Sequence, residues 1–143
     1  MTTVRAGGTR RVVTTRTTAG VSAVLADDAT EKLVQIKALP TIRFTDLWSV
    51  DRAPADNTLV WDADPAVEVP SPSSGGHILR LLEIEPDPPG YDPASGFHTT
   101  NTIDHLVVLS GEVVCLLDSE EVIRGPGDVL VQRGTQQARR RGG

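Results

Sequence analysis

Residues 96–141 read GFHTTNTIDHLVVLSGEVVCLLDSEEVIRGPGDVLVQRGTQQARRR, and they determine how the rest of the chain is understood. The apolar runs IDHLVVL, EVVCLLD and DVLVQRG are too short for helices and are divided by Gly and Pro, so they predict strands. Ser110-Gly111, set between the first two runs, predicts a hairpin. Arg124-Gly125-Pro126-Gly127-Asp128 predicts a turn into the third. Side chains two apart on a strand share a face, so His98 and Thr100 point the same way if that segment is extended. Asp104 and His105 have opposite parity, and only one of them faces inward unless a bulge intervenes.

Upstream, the same cadence continues. RRVVTTRT and VSAVLA flank Gly20, TIRFTDLWSV alternates, and ILRLLEIEP follows as a further strand. DRAPADNT, DADPAVEVPSPSSGG and PDPPGYDPASG are loops by their Pro, Ser, Gly and Asp content. Residues 28–39 leave a short helix and an extended segment equally open: Leu33, Ile36 and Leu39 have helical spacing, but Pro40 closes the run. No internal repeat is present. Short strands at close, regular intervals with Pro/Gly punctuation predict an all-β sandwich or barrel.

At 143 residues the chain is one domain by length, residues 1–143. Fourteen basic against nineteen acidic side chains leave a formal charge of −5, which argues against nucleic acid as a partner. Residues 138–143, ARRRGG, are expected to form a solvated, disordered basic tail. The single Cys115 can form neither an intramolecular disulfide nor a thiolate metal cluster, and its alternation with Val113 and Leu117 predicts an inert, buried thiol. No run reaches the roughly 18 apolar residues of a membrane span, and the N-terminus lacks the apolar core of a signal peptide, so a cytoplasmic protein without a membrane partner is expected.

The spacing of turn and polar residues resembles the two motifs of the cupin family, over about residues 78–137. Gly96-Phe97-His98, Thr100, Asp104 and Gly111 fall on the first motif; Gly127-Asp128, Gln132, Gly134 and Gln137 fall on the second. The resemblance implies a single-domain jelly-roll β-barrel, commonly a homodimer, with a small-molecule ligand or substrate in the barrel mouth. It also implies a metal cage of three His and a carboxylate. Here those positions hold His98, Thr100, the short acid Asp104 and Gln137. Amide and hydroxyl oxygens bind transition metals weakly. The expectation is therefore no cofactor, with a divalent metal on His98, Asp104 and Gln137 as the alternative, His105 adding a nitrogen only if it turns inward. Family members ordinarily continue further beyond the last motif position than this chain does. The C-terminal strand set is thus expected to be incomplete, or to be completed by a partner subunit or by the N-terminal strands.

His98 and Asp104 are the expected catalytic pair, because an imidazole titrating near neutrality and a buried carboxylate can divide proton donation and abstraction. Thr100, His105, Gln137 and Trp48 are the expected ligand-binding residues, Trp48 or Trp61 offering a stacking face to a planar ligand. His77 and Tyr91 read as loop residues. The implied activity is that of a small-molecule tailoring enzyme of dehydratase, cyclase, isomerase or decarboxylase type, a lyase or isomerase in secondary metabolism. A metal-dependent dioxygenase or lyase and a non-catalytic binding barrel are the competing readings.

Overall fold

The computed structural model describes residues 8–30, 34–50, 52–54, 56–57 and 75–142. The described chain is mostly strand, with ten of them: β1 (Thr9–Arg16), β2 (Ser22–Thr30), β3 (Val34–Ile36), β4 (Leu39–Val50), β5 (His77–Ile84), β6 (Ile103–Val107), β7 (Val113–Leu116), β8 (Glu121–Arg124), β9 (Val129–Arg133) and β10 (Ala138–Arg141). The helical element among the described residues is a single 3-10 turn, Pro93–Gly96. The strands form four small sheets, β1-β2, β3-β4-β5, β6-β9 and β10-β7-β8, and among the described residues no closed barrel is formed. No described helix is long and apolar enough to cross a membrane. Two compact units result: residues 1–34 with 44–81, and residues 35–43 with 82–143.

In the first unit, β1 and β2 pair antiparallel from Thr9↔Thr30 to Arg16↔Ser22, with a register shift at Val13/Thr14. The turn between them is set by Gly20 at φ +77° and by the Thr17 hydroxyl, which accepts from Val21 N at 3.1 Å. β1 alternates half-buried and exposed along its whole length, as its Thr/Arg/Val pattern dictates. The half-buried Arg11 donates to Asp28 and to the Leu47 carbonyl of β4. Asp46, 4 % exposed, is neutralised by Arg80, which donates to it at 2.9 Å and stacks over the Phe44 ring.

In the second unit, β6 pairs antiparallel with β9, placing Asp104 opposite Gln132 and His105 opposite Val131. β7 lies between β10 and β8, with Cys115 opposite Arg139 on one side and Val122 on the other. One face of this sheet carries Val114, Leu116 and Ala138, which pack with Phe97 into an apolar core. The other face carries Val113, Cys115, Val122, Arg124 and Arg139. It looks onto the inner face of β6-β9, since Cys115 Sγ reaches Gln132 Oε1 and Arg139 reaches Asp104.

Three expectations are corrected here. Ser110-Gly111 does not close a hairpin: β6 pairs with β9, and β7 with β8 and β10. A two-residue type I′ hairpin needs positive φ at both central residues, and only Gly111 has it. Val108 instead continues the β6 ladder through bonds with Asp128 and Gly127, so the chain crosses to the other sheet. The described part of 28–39 is extended, with β3 and β4 where a helix was open. Residues 138–141 are β10, paired with β7, and Ala138 is 2 % exposed.

Candidate functional site

The site grows from the loop before β6. Asp92 caps the 3-10 turn by accepting from Ala94 N at 2.9 Å, and the turn packs closely at Gly96. A Cβ there would lie 3.3 Å from Leu39 Cδ2, so the entry to the histidine is fixed by a residue without a side chain. His98 then pairs with Gln137 through both backbone bonds, 3.1 Å and 3.0 Å. Two segments 39 residues apart in sequence thus meet at His98 and Gln137.

The His98 ring is held at both nitrogens. Nδ1 lies 2.8 Å from the Gly96 carbonyl, which can only accept, so Nδ1 carries the proton. Nε2 is then an acceptor and lies 3.2 Å from the Gln137 amide nitrogen, which donates to it. The imidazole itself is exposed, whereas Gln137 is 2 % exposed and its Oε1 is buried without a partner.

Asp104 is half-buried on the inner side of β6, and His105, of opposite parity, is exposed on the outer side. Thr102 Oγ1 donates to Asp104 at 2.8 Å, and Thr100 Oγ1 lies 2.8 Å from Thr102 Oγ1. The hydroxyls therefore form one relay, Thr100 to Thr102 to Asp104. Arg139 Nη2 faces the second carboxylate oxygen at 3.7 Å. Asp104 is held by a hydroxyl and a cation rather than by the apolar surroundings its neighbours suggested. His98 and Asp104 share no hydrogen bond; Gln137 and Arg139, two apart on one strand face, stand between them in the chain of contacts.

Trp48 lies on β4 in the first unit, half-buried, and Trp61 lies outside the described residues. Cys115 is buried, at 1 % exposure. His77 begins β5 and is exposed. The residues that sequence reasoning missed are Arg124, Arg139 and Thr102. A shallow groove of about 750 Å³, lined by Asp118, Glu120, Glu121 and Phe97 among others, lies over the apolar-core side of β7 and contains none of the candidate site residues.

The donor set is a poor fit to a transition metal. His98 Nε2 is satisfied by an amide N–H, Asp104 is shared between a hydroxyl and a guanidinium, and Gln137 offers one amide oxygen. Among the described residues no group of three or more His, Cys, Asp or Glu side chains converges to hold an ion. A buried guanidinium beside the carboxylate also opposes a dication there.

No protein-family model matches the chain. Two relatives come from Diaporthe leptostromiformis. Phomopsin biosynthesis cluster protein C' is 42% identical over 72 residues, 50% of this chain and 33% of the relative. Phomopsin biosynthesis cluster protein D is 45% identical over 62 residues, 43% of this chain and 30% of the relative. The matched region thus spans about a third of the length of each of these relatives.

Proposed function

We propose that this chain carries a cupin-type small-molecule site that performs metal-independent acid/base chemistry in a secondary-metabolic pathway. The observation that carries the reading is the His98–Gln137 pair. It joins the two motif segments and leaves an exposed imidazole whose Nδ1–H is fixed; a substrate donor that displaces the Gln137 amide N–H from Nε2 can then pass its proton to that nitrogen. Asp104, fed by the Thr100–Thr102 relay, is the second group, able to hold a substrate hydroxyl or return a proton. The names of the two Diaporthe relatives, both phomopsin biosynthesis cluster proteins, support a role in natural-product biosynthesis. The reaction class proposed is a dehydration, cyclisation, isomerisation or decarboxylation, each of which needs proton transfer and no redox partner.

The test is complementation. In a producing strain lacking the gene, the wild-type gene restores the pathway product, and His98→Ala lowers its yield by at least about a hundredfold, the usual worth of a positioned acid/base group. The ring is exposed, so the variant keeps its fold, to be checked by circular dichroism. Full restoration by His98→Ala rejects the catalytic reading and favours a barrel that only binds. Elemental mass spectrometry of untagged wild type, purified without chelator, is the companion measurement. Near one equivalent of iron, manganese, nickel or zinc rejects metal independence.

A further inference from the structure

Among the described residues of the second unit, one face of β10-β7-β8 sets two buried arginines against a single carboxylate, Asp104. Arg124 is 5 % exposed and the Arg139 side chain 9 %. Nε and Nη2 of both guanidinium groups are buried without a hydrogen-bond partner. Both side chains lie on one face of β10-β7-β8, Arg139 opposite Cys115 and Arg124 opposite Val113, one strand to either side of β7. With strands about 4.8 Å apart and a rise of roughly 3.3 Å per residue, their backbones are about 12 Å apart, near enough for two such long side chains to converge over β7.

An unpaired buried guanidinium is expensive, and proteins rarely leave one without an anion. The carboxylate recorded at this face, Asp104, is 3.7 Å from Arg139 Nη2, beyond hydrogen-bond distance, and is 36 % exposed. Burial pushes the Arg139 guanidinium below its ordinary range; Asp104 and then Cys115 act against that, and Arg124 adds to it as a like charge. Two guanidinium charges and one carboxylate leave a local excess of one positive charge. Four N–H-bearing nitrogens of the two arginines are buried without a partner, as is Oε1 of Gln137, which lies two residues before Arg139 and so on the same strand face.

We propose that Arg124 and Arg139 form the anchor for a carboxylate group of the ligand, which enters past the exposed His98 and the half-exposed Asp104. A planar monoanion matches both the fork geometry of guanidinium and the single uncompensated charge, whereas a phosphate dianion overshoots it. The orphaned Gln137 oxygen accepts a donor on the same ligand. This assignment rests on reading the second unit as a small-molecule site, and names the ligand class that site takes.

Equilibrium binding tests it without requiring turnover, so its outcome is separate from that of the His98 experiment. Acetate, succinate and benzoate are titrated by calorimetry against the full chain, beside acetamide, benzamide and inorganic phosphate. At least one carboxylate binds saturably, at least about tenfold tighter than its neutral amide or phosphate. Arg139→Met abolishes that binding while the thermal midpoint holds or rises, because an unpaired buried cation has been removed. Arg139→Lys retains part of it, and Asp104→Asn tightens it severalfold by removing the competing carboxylate. Equal binding of acid and amide, stronger binding of phosphate, unaltered affinity in Arg139→Met, or no saturable binding of any carboxylate overturns the assignment.

Discussion

Gln137 is nearly inaccessible, yet only half of its amide is satisfied: the nitrogen serves His98 and the oxygen serves nothing. An orphaned buried acceptor costs about 1–3 kcal/mol, while a hydrogen bond to an exposed ring returns about 1 kcal/mol or less. Stability alone would therefore replace this side chain with an apolar one of similar shape. Gln137→Met is expected to be as stable as wild type or up to about 2 kcal/mol more stable in urea unfolding. Pathway complementation should fall by up to about fivefold, the equivalent of one lost hydrogen bond of about 1 kcal/mol holding the imidazole. A variant that is destabilised and fully active would mean that the amide is structural. The same trade is visible in the neighbouring guanidinium groups, where interior polarity is retained without internal compensation.

At the scale of elements, the β1-β2 ladder is stapled by two ion pairs, Arg10–Asp27 and Arg11–Asp28. The guanidinium hydrogen bonds, chiefly, hold both carboxyls below the ordinary carboxylate range. A carboxyl with a lowered folded-state pKa stabilises above its unfolded value and loses that contribution as pH falls through its folded value. The hairpin should weaken below about pH 4. The thermal midpoint of Asp27→Asn/Asp28→Asn, followed from neutral pH downward, is expected to lie slightly below wild type at neutrality and to converge with it in acid. Molar salt should shrink the gap, because these pairs reach solvent. A gap that is as large in acid as at neutral pH, with no narrowing once the pH falls below the ordinary carboxyl value, would contradict this origin.

Elements also show what the sequence could and could not carry. That His98 and Gln137 fall in one region was expected from the spacing of turn glycines and polar residues; that they pair directly, backbone and side chain, was not. That only one of Asp104 and His105 faces inward followed from strand parity, and the structure makes Asp104 the inward one. The Ser110-Gly111 hairpin failed because a dipeptide signal says nothing about which distant ladder, here β9 through Val108 and Asp128, competes for the strand. β10 was illegible for a different reason. Its run of three arginines has the composition of a solvated tail, and only pairing to β7 makes one of them an interior group. Of the two arginines proposed as an anchor, Arg139 was therefore hidden in the segment that composition most readily dismissed.

At the scale of the molecule, the outer face of β6-β9 leaves large apolar side chains exposed. Ile103 and Val129 are 63 % exposed, Val107 57 % and Val131 53 %, and the register sets Val107 beside Val129 and His105 beside Val131. Four exposed apolar side chains on one face, with His105 and Arg133 among them, are more than ordinary surface scatter and suit an association surface. A second copy is the partner we propose, since the cupin resemblance implies a homodimer and a flat two-stranded face can be self-complementary about a two-fold axis. Light scattering of wild type should then give twice the 15.3 kDa chain mass. Val131→Glu sets two like charges against each other across the axis and should give the single-chain mass, with an unchanged β-type dichroism spectrum. Because the Arg124–Arg139 side lies on the opposite face of β6-β9, that monomer should bind carboxylates as wild type does. A monomeric wild type would remove the dimer. A Val131→Glu monomer that had lost carboxylate binding would show instead that association and the interior site are one structural event.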